Sequence, residues 1–168
     1  MDNKYLVLAV GIPASGKTTA IAKLYKDALI ISPDNFIGYT KENPWSPQAA
    51  RSAWQKADKL LEEALQRGTE LIVFDATFVK PKTRKKYIKA AEKYDFIPVV
   101  LYCSVPIKIA QARNSERDKS RKVPGFILQN MDRGLIPPSH EEGFKKILTY
   151  NTDEDKLVYS FAKGFKDA

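Results

Sequence analysis

A three-layer α/β domain with a mainly parallel sheet is the fold this sequence predicts, and three observations predict it. Short apolar runs alternate with stretches of helical periodicity along almost the whole chain. Those runs are continuous rather than alternating, as strands covered on both faces are. Each of the first three ends in polar or glycine-rich residues, and open α/β sheets bind ligands beyond the carboxyl ends of their strands. Strand–helix–strand units joined by right-handed crossovers bury both faces of such a sheet.

The elements follow in chain order. Tyr5-Leu6-Val7-Leu8-Ala9-Val10 is the first strand. Residues 19–25 put Ile21, Leu24 and Tyr25 on one helical face. Residues 27–32 form a short second strand with Asp34 just beyond it. Residues 36–45 carry Gly38 and Pro44 among polar groups and read as a surface loop. Ser46-Pro47 supplies an N-cap and a first helical residue. Ala50, Ala53, Trp54, Ala57, Leu60, Leu61, Ala64 and Leu65 then recur at helical spacing, and Gly68 closes the helix. That spacing makes Trp54 a core residue rather than a base-stacking platform. Residues 70–75 are a third strand ending in Asp75. A helix is predicted from Pro81 to Tyr94, its exposed side dense in Lys82, Arg84, Lys85, Lys86 and Lys89. Residues 96–102 are a fourth strand, and Pro106 opens a helix carrying Ile107, Ile109 and Ala110. The polar stretch with Arg113, Arg117, Lys119, Arg121 and Lys122 leads to a short helix from Pro124 to Arg133, stopped by Gly134. Ser139-His140-Glu141-Glu142 has capping-box spacing. Residues 146–150 and 156–161 read as a terminal hairpin around Asn151-Thr152-Asp153.

The length of 168 residues fits a single domain spanning 1–168, and 43% hydrophobic residues are enough to bury a core. The formal net charge is +8, from 28 basic and 20 acidic residues. Such a surface suits an anionic partner such as nucleic acid, although a merely soluble basic protein has it too. Cys103 is the only cysteine, so no intramolecular disulfide forms. It lies in an apolar run and reads as core. No signal peptide precedes Tyr5, and no apolar run approaches the length of a membrane span. The expected location is the cytoplasm, that of a host cell if the protein is phage-encoded.

Gly11-Ile12-Pro13-Ala14-Ser15-Gly16-Lys17-Thr18 fits G-x-x-x-x-G-K-S/T and sits between the first strand and the first helix, the context a phosphate-binding loop requires. The glycines let the backbone N–H groups turn inward around a phosphate, and the following helix points its positive end at the same anion. Gly11, Pro13, Ala14, Ser15, Gly16, Lys17, Thr18 and Thr19 are the candidate ATP cradle. Lys17 would reach the β- and γ-phosphates, and Thr18 would offer its hydroxyl to Mg²⁺. Phosphoryl transfer also needs a group to take the acceptor's proton. Asp34, beside the γ-phosphate, is placed for that; a turn or helix cap is the competing reading of Ser32-Pro33-Asp34-Asn35. Asp75 would support Mg²⁺ or hold the acceptor. The arginines from Arg113 to Arg121 supply forked donors for a transition-state clamp in a polar closing lid over about 113–123, with a solvated helix face as the plainer alternative.

These residues resemble the kinase domain of the 5′-polynucleotide kinases, phage and animal, from Tyr5 to about Leu148. The first loop looks like the family's Gly-x-Pro-Gly/Ala-Ser/Gly-Gly-Lys-Ser. Ser32-Pro33-Asp34 stands where the family has Asn-Arg-Asp, whose aspartate is the general base. Phe74-Asp75-Ala76-Thr77 resembles the strand end the family uses on the acceptor side, which implies substrate-binding roles for Asp34, Asp75 and Thr77. Arg113-Asn114-Ser115-Glu116-Arg117 resembles the lid, so Arg117 falls on the phosphate-clamping arginine. Residues 138–144 resemble a Pro-x-x-x-Glu-Gly-Phe segment of the animal enzymes. Two departures stand out: Pro33 replaces the arginine before the base, and Ile37 occupies the place of an arginine with which the phage enzyme grips the acceptor's phosphate. The expectation is of a kinase domain alone, without the family's phosphatase or ligase domain.

The resemblance implies an ATP- and Mg²⁺-dependent kinase acting on a 5′-hydroxyl end of DNA or RNA, with Lys17, Asp34 and Arg117 as catalytic residues. Two other readings share the sequence. The same fold serves kinases of small metabolites or of a hydroxymethylated base in DNA, and a nucleotide-gated nucleic-acid-binding module would not turn over at all. Asp34 speaks against the last, because gating needs no base. The net charge and the Lys82–Lys89 cluster speak against a neutral metabolite.

Overall fold

The computed structural model describes residues 2–37 and 46–167. The strands are β1 (Tyr5–Val10), β2 (Leu29–Ile31), β3 (Leu71–Asp75), β4 (Ile97–Cys103), β5 (Lys146–Asn151) and β6 (Lys156–Phe161). The helices are α1 (Lys17–Leu24), α2 (Pro47–Arg67), α3 (Pro81–Lys93), α4 (Ile107–Ser115) and α5 (Gly125–Gly134). All six strands form one sheet in the order β2-β3-β1-β4-β5-β6, parallel except for the closing β5–β6 hairpin. Part of the expected surface loop, with Gly38 and Pro44, lies outside the described residues.

The register explains why the rim of this sheet carries chemistry. Ala9 of β1 pairs with Asp75 of β3, and Val10 pairs with Tyr102 of β4. The loop leaving β1 therefore emerges between the ends of its two neighbours. Alternate β1 side chains serve opposite layers. Leu6, Leu8 and Val10 pack with Leu61, Leu65, Phe74 and Ile88 under α2 and α3. Val7 and Ala9 pack with Ala20, Ile21, Leu101 and Leu148 under α1. The three-layer α/β architecture is thus the one the sequence predicts.

Local chemistry sets the element ends. The Ser46 hydroxyl accepts from the Ala49 N–H at 3.0 Å, and Pro47 begins α2. Trp54 stacks on Phe74 and meets Phe78 edge-on, which makes it core packing. The terminal hairpin forms where it is predicted. Glu142 Oε1 accepts from the Ser139 N–H at 3.1 Å, one half of the capping box.

Several expectations need correction. β2 is shorter than residues 27–32, because residues 26–28 are still in a turn and Ser32 already caps the 3₁₀ helix Pro33–Phe36. Gly134 belongs to the last turn of α5 instead of stopping it. α4 continues to Ser115, so Arg113 is helical and the irregular stretch begins later than 113.

The largest correction is Arg84, which the sequence places on the exposed basic side of α3. Its side chain is completely buried. Arg84, Tyr87, Ile88 and Ala91 share the inner face of α3, while Lys82, Lys85, Lys86 and Lys89 face water. Burial is tolerated because the guanidinium finds acceptors all round. Nε and Nη2 donate to the two Glu142 carboxylate oxygens at 2.8 Å each, and Nη1 donates to Phe78 O and Ile136 O at 2.9 Å each. No described helix is long and apolar enough to cross a membrane.

Candidate active site

The loop between β1 and α1 is shaped by close approach. The Gly11 N–H donates to Thr77 O at 3.1 Å, tying the loop to the end of β3. A Cβ on Gly11 would come within 2.6 Å of Ser15 Oγ and 2.8 Å of Cys103 O, so no side chain fits there. Gly16 caps α1 at φ 92°, in the left-handed region that favours glycine. Ala14 adopts φ 62°, unusual for a residue with a Cβ and characteristic of strained functional loops. Ile12 packs with Ala110 and Leu128, fastening the outer side of the loop to α4 and α5.

Lys17 is the first residue of α1, and its ammonium donates to Gly11 O at 2.9 Å and Ile12 O at 3.1 Å. Burial holds this ammonium below its ordinary range; Asp75, Cys103 and Asp34 pull it up, and Arg117 pushes it further down. Burial raises the Asp75 carboxyl, against the attraction of Lys17, and Asp34 adds to the rise. The Arg117 guanidinium is lowered by burial and by Arg121, with Asp34 opposing. Lys17, Asp34, Asp75 and Arg117 therefore share one field, and Arg121 enters it through Arg117. Thr18 and Thr19 are exposed in the first turn of α1, and Pro13 is half-buried. Thr77 reaches the loop through its backbone. Burial pushes the Cys103 thiol up to about 12, consistent with an inert core residue.

Arg113 is directed elsewhere. Its Nη1 donates to Thr152 Oγ1 at 2.8 Å, and its Nη2 lies 3.9 Å from an Asp153 carboxylate oxygen. Thr152 in turn donates to Ser15 O at 2.6 Å. Ser15 is buried, and its Oγ has no hydrogen-bond partner among the described residues. In sequence Thr152 reads only as a turn former. No local signal marks it, because its partner is 137 residues away.

The residues fit a nucleotide's phosphates. The glycine cradle is closed to side chains, a helix begins at the loop, and a desolvated lysine stands at its mouth. Among the described residues no group of three or more His, Cys, Asp or Glu side chains could hold an ion. A Mg²⁺ here would take ligands from Thr18, Asp75 and the phosphates, as this reluctantly dehydrated ion usually does.

A parallel strand, a glycine loop, a lysine opening the next helix and carboxylates at neighbouring strand ends define a P-loop domain of the kinase-like kind. The AAA_33 family model, an AAA domain, matches residues 6–138, and the chain belongs to that family. No curated protein matches it in sequence. Among solved structures the chain is similar to one in the Pnkp1/Rnl/Hen1 RNA repair complex, with TM-score 0.68 and 16% identity, covering 80% of this chain and 45% of that one. It is also similar to Kti12 of Chaetomium thermophilum in complex with ADP-AlF3, with TM-score 0.62 and 19% identity over 90% and 91% of the two chains. A gluconokinase from Sinorhizobium meliloti matches with TM-score 0.56 and 18% identity over 89% and 84%. At these identities the likeness is one of fold.

Proposed function

We propose that this chain transfers the γ-phosphoryl group of ATP to the 5′-hydroxyl end of a DNA or RNA strand. The observation that carries the reading is the exposed Asp34 at the end of β2, within electrostatic reach of both Lys17 and Arg117. A carboxylate there is placed to take the proton that leaves an acceptor hydroxyl. Asp34 takes that proton as the acceptor oxygen bonds to the γ-phosphorus and the bond to the β–γ bridging oxygen breaks, releasing ADP. The loop N–H groups and Lys17 hold the phosphates, and Arg117 donates to the oxygens on which charge develops. Thr18 and Asp75 would hold Mg²⁺, which supplies neutralisation of phosphate charge. Thr77 would bind the acceptor, as would Asp75 if it does not serve the ion. The exposed lysines Lys82, Lys85 and Lys89, with the lid, suit a polyanionic acceptor.

The test is incubation with Mg·ATP and a panel of acceptors, followed by mapping of the phosphate. Acceptor KM is then compared for a mononucleoside 3′-phosphate and a ten-residue oligonucleotide at two salt concentrations. Binding of the strand should weaken on log–log axes by about 0.7 per phosphate contact, and the longer acceptor should bind better. Equal KM in all four conditions, or phosphate found on a neutral sugar or a modified base instead, overturns the acceptor and leaves the kinase site standing.

A further inference from the structure

The turn joining β5 to β6 lies outside the residues matched by the family model, yet it touches the phosphate loop. Thr152 Oγ1 has one proton and two lone pairs. The proton is committed to Ser15 O at 2.6 Å, and a lone pair is filled by Arg113 Nη1 at 2.8 Å. A cationic donor polarises the hydroxyl and strengthens the bond it makes in turn. Across a trans peptide, C=O and N–H point to opposite sides. Holding Ser15 O toward the hairpin therefore turns the Gly16 N–H away from it. The same threonine covers Gly16: a Cβ there would fall 2.7 Å from Thr152 Oγ1 and 2.9 Å from both its carbons.

The turn is built to hold this position. Asn151 Oδ1 accepts from the Asp153 N–H at 3.0 Å and the Glu154 N–H at 3.1 Å. The Ser104 N–H donates to Tyr150 O at 2.9 Å, joining the turn to the end of β4. Lys23 donates to Asp155 Oδ1 at 2.7 Å and to the Tyr150 hydroxyl at 3.2 Å, so α1 is gripped from the same hairpin.

We propose that Thr152 is a positioning residue of the phosphate loop, held in its working orientation by Arg113. The inference rests only on the nucleotide half of the function proposed above. On this view Arg113 acts through Thr152 and not on the phosphates.

Calorimetric titration of the full chain with Mg·ATP and Mg·ADP tests it, beside thermal melting of the free protein and steady-state kinetics. Thr152→Val keeps the shape and removes both the donor to Ser15 O and the acceptor that holds Arg113. It should weaken nucleotide binding about tenfold, the effect of a hydrogen bond of ordinary net strength. KM for ATP should rise more than kcat falls, with the melting temperature of the free protein nearly unchanged. Thr152→Ser restores the donor and should bind within about twofold of the parent. Arg113→Met should weaken binding less than Thr152→Val, and the double variant should be no weaker than Thr152→Val alone, because the two act in one chain. Unchanged affinity in Thr152→Val overturns the proposal, and so does a serine variant as weak as the valine one. Additive losses in the double variant overturn the role given to Arg113. Failure of the parent protein to bind either nucleotide would overturn this inference together with the kinase reading. A parent that binds nucleotide but phosphorylates no nucleic acid would leave it intact.

Discussion

The loop that leaves β1 and the loop that leaves β3 emerge side by side, with Ala9 and Asp75 in register and the Gly11 N–H bonded to Thr77 O. They are held in opposite ways. The β1 loop takes its turn from its own residues, two glycines, the left-handed Ala14 and a lysine folded back onto Gly11 O and Ile12 O, and is touched from outside at Ser15 O by Thr152. The β3 loop contains buried Phe78 at φ 47° and has no glycine to ease it. Its carbonyl is held by Arg84 from α3, whose other donors reach Ile136 and Glu142, 52 and 58 residues away. Adjacent rims thus separate two roles: one is built to meet a ligand, the other is braced by the core. Damage to the first should cost chemistry, and loss of the Arg84 brace behind the second should cost the fold.

The largest expected effect is on stability. Arg84→Met leaves Glu142 and two carbonyls without their partner and should cost about 3–5 kcal/mol, as loss of one member of a buried ion pair does. Pairing it with Glu142→Leu should recover part of this. Denaturant unfolding measures both. A cost within about 0.5 kcal/mol, ordinary for a surface position, would return Arg84 to the basic face and end the contrast.

Around the phosphate loop the fold should survive substitution. Asp34→Asn keeps the shape and removes the base, so kcat should fall by about 10²–10⁴ with nucleotide affinity retained. Collapse of ATP affinity would make Asp34 a nucleotide or metal ligand. Lys17→Ala should lower kcat by about 10²–10³, the cost of one electrostatic donor, and melt no lower than the parent, because a desolvated ammonium is removed. Near-normal turnover by the folded variant would dismiss the loop reading. Arg117→Lys should cost roughly tenfold in kcat, since lysine cannot supply a planar fork. A scan in which Arg121 is critical and Arg117 dispensable would move the clamp.

The smallest effect is the most diagnostic of burial at the rim. The folded Asp75 carboxyl lies above its ordinary value of 3.8, chiefly through burial. Between the ordinary and the raised value the folded chain keeps a proton that the unfolded chain has released. Stability therefore falls as pH rises through that window. Asp75→Asn should raise the melting temperature of the nucleotide-free protein at pH 7, and the gain should vanish below pH 3.8. A variant that melts lower at pH 7 than the parent would mean that attraction to Lys17 outweighs burial.

By itself the sequence determined the sheet-and-helix alternation, the phosphate loop, the Ser46-Pro47 start of α2 and the terminal hairpin. Each depends on conformations and hydrogen bonds a few residues apart, so residue type and spacing suffice. It also placed Asp34 and Asp75 near the loop, because strand carboxyl ends converge in any parallel sheet, whereas Arg117 was reached through the resemblance of residues 113–117 to a lid. The tertiary structure alone decided that Arg84 is core, since charge forbids burial only when donors lack acceptors and here Glu142, Phe78 and Ile136 provide them. It alone brought Thr152 onto Ser15 O and drew Arg113 to the hairpin. Those contacts follow from a strand order that sets β5 beside β4, an outcome of packing over the whole chain.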